Sequence, residues 1–139
     1  MNIHSITPDT EQSICSILRD ALPNALGIYV FGSRAQDTAN ADSDLDLAVL
    51  IEGYADPLVL WDLANQIAEK LGFHVDLLDL RASSTVMQYQ IITTGRCVWA
   101  KDVQAGLYEA FILSEKTSLD TARAELLQEI KEDGAVYGK

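Results

Sequence analysis

Two aspartates, Asp44 and Asp46, stand at the mouth of Leu45–Ile51, a run otherwise built from leucine, alanine, valine and isoleucine. The run is closed by Glu52-Gly53 and reads as a buried strand. Side chains alternate faces along a strand, so the two carboxylates point the same way, roughly 6.6 Å apart along the backbone. Leu45, Leu47, Val49 and Ile51 take the opposite, buried face. Packing gives no reason to begin such a strand with two like charges. They repel unless a cation or a strong donor lies between them. A merely solvated strand end is the plain alternative. The stronger reading is a sheet whose strand end is open to a charged ligand.

Two other stretches fit that reading. Residues 27–31, "GIYVF", form a strand that runs directly into Gly32-Ser33-Arg34. A strand–Gly–Ser junction offers backbone N–H groups and a hydroxyl to an anion. Glycine lets a phosphate approach the main chain closely, and Arg34 can add charge-assisted hydrogen bonds. Such a turn alone is more often just a turn. Residues 73–80, "FHVDLLDL", form a third strand in which Asp76 sits between Val75 and Leu77. A buried, unpaired aspartate there would be costly. If this strand lies beside Leu45–Ile51, Asp76 converges with Asp44 and Asp46, and three carboxylates at one point suit a hard cation such as Mg²⁺. Asp79 faces the other way and is assigned to the surface or to capping. The pattern Gly-Ser-x10-Asp-x-Asp arises by chance on the order of 10⁻³ times per chain of this length, so coincidence is a poor account of it.

The remaining residues read as alternating helices and strands. Thr7-Pro8 caps a first helix carrying Ile14, Ile17, Leu18 and Ala21. Residues 33–39 have room for a short helix. Asp56-Pro57 opens a helix with the stripe Leu60, Leu63, Ala64, Ile67 and Leu71, stopped by Gly72. Residues 83–94 follow as a helix with Val86 and Ile91 inward and Gly95 at its end, then Arg96–Ala100 as a short strand. Val103, Leu107, Ala110 and Phe111 mark one C-terminal helix. Leu119, Ala122, Leu126 and Ile130 mark a second, followed by a fraying tail. The expected fold class is α/β (α+β): one domain over residues 1–139, with a core at about 8–101 and a helical part at about 103–133.

At 139 residues and 48% hydrophobic composition the chain can bury a core. A net charge of −11 argues against stable nucleic-acid binding, which needs clustered Lys and Arg, and suits solubility or a basic protein partner. Cys15 and Cys97 have no metal-type spacing and are read as buried thiols in a reducing compartment. The first residues lack the basic and apolar regions of a signal peptide. No apolar run is long enough to span a bilayer. A cytoplasmic protein is expected. Several residues are set aside from the chemistry: Asp42 as a loop-solvating acid, Asp37 and Asn40 as turn residues, His74 as structural although it shares the face of Asp76, and His4 as part of the chain end. Trp61 and Trp99 are read as core or interface anchors, and Tyr108 and Tyr137 as exposed candidates for contact with a partner or for self-modification.

Gly32-Ser33, Asp44-Leu45-Asp46 and Asp76 together resemble the signature of the polymerase-β-like nucleotidyltransferases. The short length, "GSRA" and "HVDLLDL" are most similar to the minimal nucleotidyltransferases, and among these to the antitoxins paired with HEPN-type RNase toxins. The motif resemblance covers residues 30–80. It implies a central mixed β-sheet flanked by helices, with Asp44, Asp46 and Asp76 holding two Mg²⁺ ions and Gly32 and Ser33 holding the β- and γ-phosphates of ATP. It further implies transfer of AMP from ATP to a tyrosine of a cognate HEPN RNase toxin, which blocks the RNase. Two alternatives stay open. One is a small-molecule acceptor of the antibiotic type, against which stands the short stretch after the last strand. The other is neutralisation by binding alone, against which stand the clustered carboxylates.

Overall fold

The computed structural model describes residues 6–32 and 44–137, with side chains through residue 129. Ser33, Arg34, Asp37, Asn40, Asp42, His4, the expected short helix at 33–39 and the side chain of Tyr137 lie outside the described residues. Among the described residues, four helices and four strands follow in the order α1 (Pro8–Ala21), β1 (Ala25–Phe31), β2 (Leu45–Ile51), α2 (Pro57–Leu71), β3 (Val75–Asp79), α3 (Thr85–Thr94), β4 (Arg96–Ala100) and α4 (Gln104–Tyr137).

Local chemistry sets most of these bounds. The Thr7 hydroxyl accepts a hydrogen bond from the Thr10 N–H, and Pro8, which has no N–H to leave unpaired, opens α1. Asp56 and Pro57 start α2 in the same way, and Gly72, at φ +83, ends it in the left-handed conformation. Gly95, between α3 and β4, is glycine for a different reason. A Cβ there would lie 2.5 Å from the Ile91 carbonyl oxygen and 2.7 Å from that of Val30.

The sheet order is β3-β2-β1-β4. β1 pairs antiparallel with β2 and with β4, while β2 and β3 are parallel and joined by the α2 crossover. Alternation divides the strand side chains between two cores. On one face α1 and α2 cover Ile28, Leu47, Val49 and Leu77 with Leu18, Leu63 and Ile67. On the other, α3 and α4 bring Ile91 and Ala105 onto Tyr29, Ala48 and Leu50.

The C-terminal part departs from the expected pair of helices: α4 is one continuous helix as far as Tyr137. Residues 112–118, "ILSEKTS", contain no glycine or proline, so nothing in them stops a helix. The inward residues of α4 are Ala105 and Ile112, whereas Val103, Leu107 and Phe111 face solvent with Leu119 and Leu126. In α3 the inward residue beside Ile91 is Gln88, and Val86 is exposed. Gln88 is buried without penalty because its amide donates to the Leu80 carbonyl (3.0 Å) and to the Tyr108 hydroxyl (3.1 Å). Tyr108 is therefore an internal contact of α4, half-buried under the Arg81 guanidinium. Cys15 is buried, but Cys97 is exposed on edge strand β4. Trp61 is exposed on α2, while Trp99 is half-buried beneath Arg19.

Candidate active site

The strand pairings set three residues in a row at one end of the sheet. Phe31 lies opposite Asp46, which brings Gly32 to one side of that aspartate. Asp46 lies opposite Asp76, which brings the third carboxylate to its other side. Neighbouring strands are about 4.8 Å apart, so Gly32 and Asp76 flank Asp46 at about twice that separation. Asp44 stands just before β2 on the same face. The parallel register of β2 and β3 is what joins the two acidic strand starts, and the Leu45 N–H holds it by donating to the His74 carbonyl (2.9 Å).

Gly32 has φ +74, and a Cβ there would overlap the Asp46 carboxylate. Two constraints therefore demand glycine: the left-handed backbone and the approach of Asp46. Burial, then the charges of Asp76 and Asp44, push the Asp46 carboxyl up from 3.8 to about 6. Among the described residues, the site gathers three carboxylates with His74 as their one basic neighbour. A bound cation would offset the charge of those carboxylates.

Asp44, His74 and Asp76 each present a ligand atom, all within 4.8 Å of one another. The His74 Nε2 lies 3.1 Å from Asp76 Oδ1. His74, set aside on sequence grounds, thus belongs to the cluster. Its even spacing from Asp76 is the signal that pointed there. Asp46 stands outside this three-residue group, turned toward Gly32. Ser33 and Arg34, expected beside Gly32, lie outside the described residues.

Of the two roles expected for Asp79, surface or capping, the structure shows capping. The residue is buried at the far end of β3, where one carboxylate oxygen accepts from the Ala55 N–H (2.8 Å) and the other from the Arg81 N–H (3.0 Å). It ties the start of α2 to the turn after β3 by capping part-buried backbone on both.

A mixed sheet with acidic starts on adjacent parallel strands and a glycine turn beside them is the arrangement of a phosphoryl-transfer site. The family model described as "Polymerase beta, Nucleotidyltransferase" matches residues 12–104, and the chain belongs to that family. Among individual relatives, it is 35% identical over 120 residues to the protein adenylyltransferase MntA of Shewanella oneidensis, a span of 86% of each chain. A crystal structure of a toxin–antitoxin with AMP-PNP contains a chain of TM-score 0.77 and 35% identity, covering 87% of this chain and 98% of that one. A structure of a tri-AMPylated Shewanella oneidensis HEPN toxin in complex with an MNT antitoxin gives TM-score 0.72 and 31% identity, covering 90% and 99%. Among the described residues no helix is long and apolar enough to cross a membrane.

Proposed function

We propose that this protein is an Mg²⁺-dependent adenylyltransferase that moves AMP from ATP to a tyrosine of a cognate HEPN RNase toxin, acting as its antitoxin in the cytoplasm. The observation that carries the proposal is the row Gly32, Asp46, Asp76, with Asp44 beside it, in a chain similar along most of its length to an adenylyltransferase of that kind. The unit assigned to the reaction is a core at about 8–101 with its helical part at about 103–133.

The donor set fits the cation. Three carboxylates are hard oxygen ligands suited to Mg²⁺. Burial first, and then the charges of Asp76 and Asp44, raise the Asp46 carboxyl, and a cation would offset the charge of that cluster. Asp44 and Asp46 would contact both of two ions and Asp76 one. Imidazole is an indifferent partner for Mg²⁺, so His74 is assigned to orienting Asp76 through its 3.1 Å contact. When bound, the ions would neutralise the phosphate charge and hold attacking and leaving oxygens in line.

The chain's own residues do the rest. Gly32 and the Ser33 hydroxyl hold the β- and γ-phosphates, with Arg34 adding positive charge. The tyrosine oxygen forms a bond to the α-phosphorus, and the bond to the bridging oxygen breaks, so its electron pair leaves with pyrophosphate. Asp76 takes the hydroxyl proton. The exposed apolar residues of α4 and the net charge of −11 suit a standing protein partner. The test is incubation of the protein with ATP labelled at the α-phosphate, Mg²⁺ and the toxin. Label on a toxin tyrosine is expected. Well-folded protein that leaves the toxin unlabelled contradicts the proposal.

A further inference from the structure

A cavity of about 480 Å³ runs along the outer edge of β3, between that strand and α2. Consecutive residues from His74 to Asp79 line its floor, so it begins at the carboxylate cluster and leads away from it. Among the described residues β3 pairs with β2 alone, which leaves its outer edge open. Tyr54 and Trp61 line the cavity as well and are 71% and 65% exposed. Two large aromatic side chains exposed around one apolar groove, next to an open strand edge, are the features of surfaces that take up polypeptide segments.

We infer that this groove receives the segment of the partner toxin that carries the acceptor tyrosine. The inference rests on the proposed function and follows from the order of the strands. In-line displacement puts the nucleophile opposite the leaving group. With the leaving pyrophosphate at Gly32, on the β1 side of Asp46, the nucleophile comes from the β3 side, past Asp76. The groove opens from that side. The nucleotide therefore occupies the β1 side, and the groove is free for the acceptor. Trp61 and Tyr54 hold the segment while the tyrosine hydroxyl reaches the Asp76 carboxylate.

The test compares Trp61→Ala, Tyr54→Ala and the groove-filling Asn65→Trp with wild type in AMP transfer to the cognate toxin. All three positions are exposed, and melting curves confirm folding. The expected result is a rise of about tenfold or more in KM for the toxin, with KM for ATP unchanged. A rise in KM for ATP instead would place the adenosine in the groove and overturn the inference, as would unchanged values for both substrates. Wild type that transfers no AMP overturns the functional proposal itself. Wild type that transfers while the variants keep their toxin KM overturns only the groove.

Discussion

Asp46 bears the most opposing demands of any single residue. Its carboxyl prefers the proton, because burial and two neighbouring carboxylates raise it to about 6. Below pH 3.8 both folded and unfolded chains hold that proton. Between 3.8 and about 6 only the folded chain does, so this contribution to stability is lost as pH rises through about 6. Asp46→Asn should accordingly raise the stability of the metal-free protein at pH 7, by on the order of 1 kcal/mol once water screening at this half-open site is allowed for. Urea unfolding at pH 7 and pH 4.5 checks it, and the gain should shrink at the lower pH. Cation binding needs the ionised form, so Mg²⁺-dependent transfer should fall as pH drops below about 6. Gly32→Ala has the opposite character. It adds about 1–2 kcal/mol of backbone strain and drives a methyl into the Asp46 carboxylate, so transfer should be lost even where the melting curve shows a folded protein.

The junctions between elements depend on groups that a pattern of apolar residues does not mark. Asp79 holds two part-buried backbone N–H groups, one just before α2 and one in the turn after β3. Asp79→Ala should cost about 2–3 kcal/mol, measured by chemical unfolding, because both donors lose their partner. Gly95→Ala should also destabilise, by about 1–3 kcal/mol, since its methyl meets two carbonyl oxygens. The strands, α1 and α2 were legible in the sequence because their periodicity and caps agree: the stripe Leu60, Leu63, Ala64 and Ile67 is buried as spaced. α4 was less so. It carries apolar residues on more than one side, and the stripe through Leu107 and Phe111 lies in solvent while Ala105 and Ile112 pack inward. Two apolar stretches in one uninterrupted helix then look like two helices. Val86 misled for the same reason, because the inward polar residue of α3, Gln88, is satisfied by contacts distant in sequence.

In the whole molecule the fold brings together what the chain separates. The acidic pair and Asp76 are thirty residues apart in sequence and adjacent in space because α2 returns the chain to a parallel strand. The pairing of Asp46 with Asp76 across β2 and β3 was legible because alternation fixes the face of a strand residue, and strand adjacency was the sole added assumption. For His74 the even spacing from Asp76 gave its face, but not its closeness to Asp44, which lies on a different strand end. The edge groove was not legible at all, because Tyr54, Trp61 and Asp76 share no pattern in sequence. The central claim is that the carboxylates perform chemistry on a partner protein instead of merely shaping a surface. The double variant Asp44→Asn with Asp46→Asn keeps the shape and removes two charges. Measured beside wild type with α-labelled ATP, Mg²⁺ and the cognate toxin, it should fold at least as stably, transfer less than about a hundredth of the AMP and fail to silence the RNase. A double variant that still labels the toxin at the wild-type rate, or silences it unlabelled, would contradict the account.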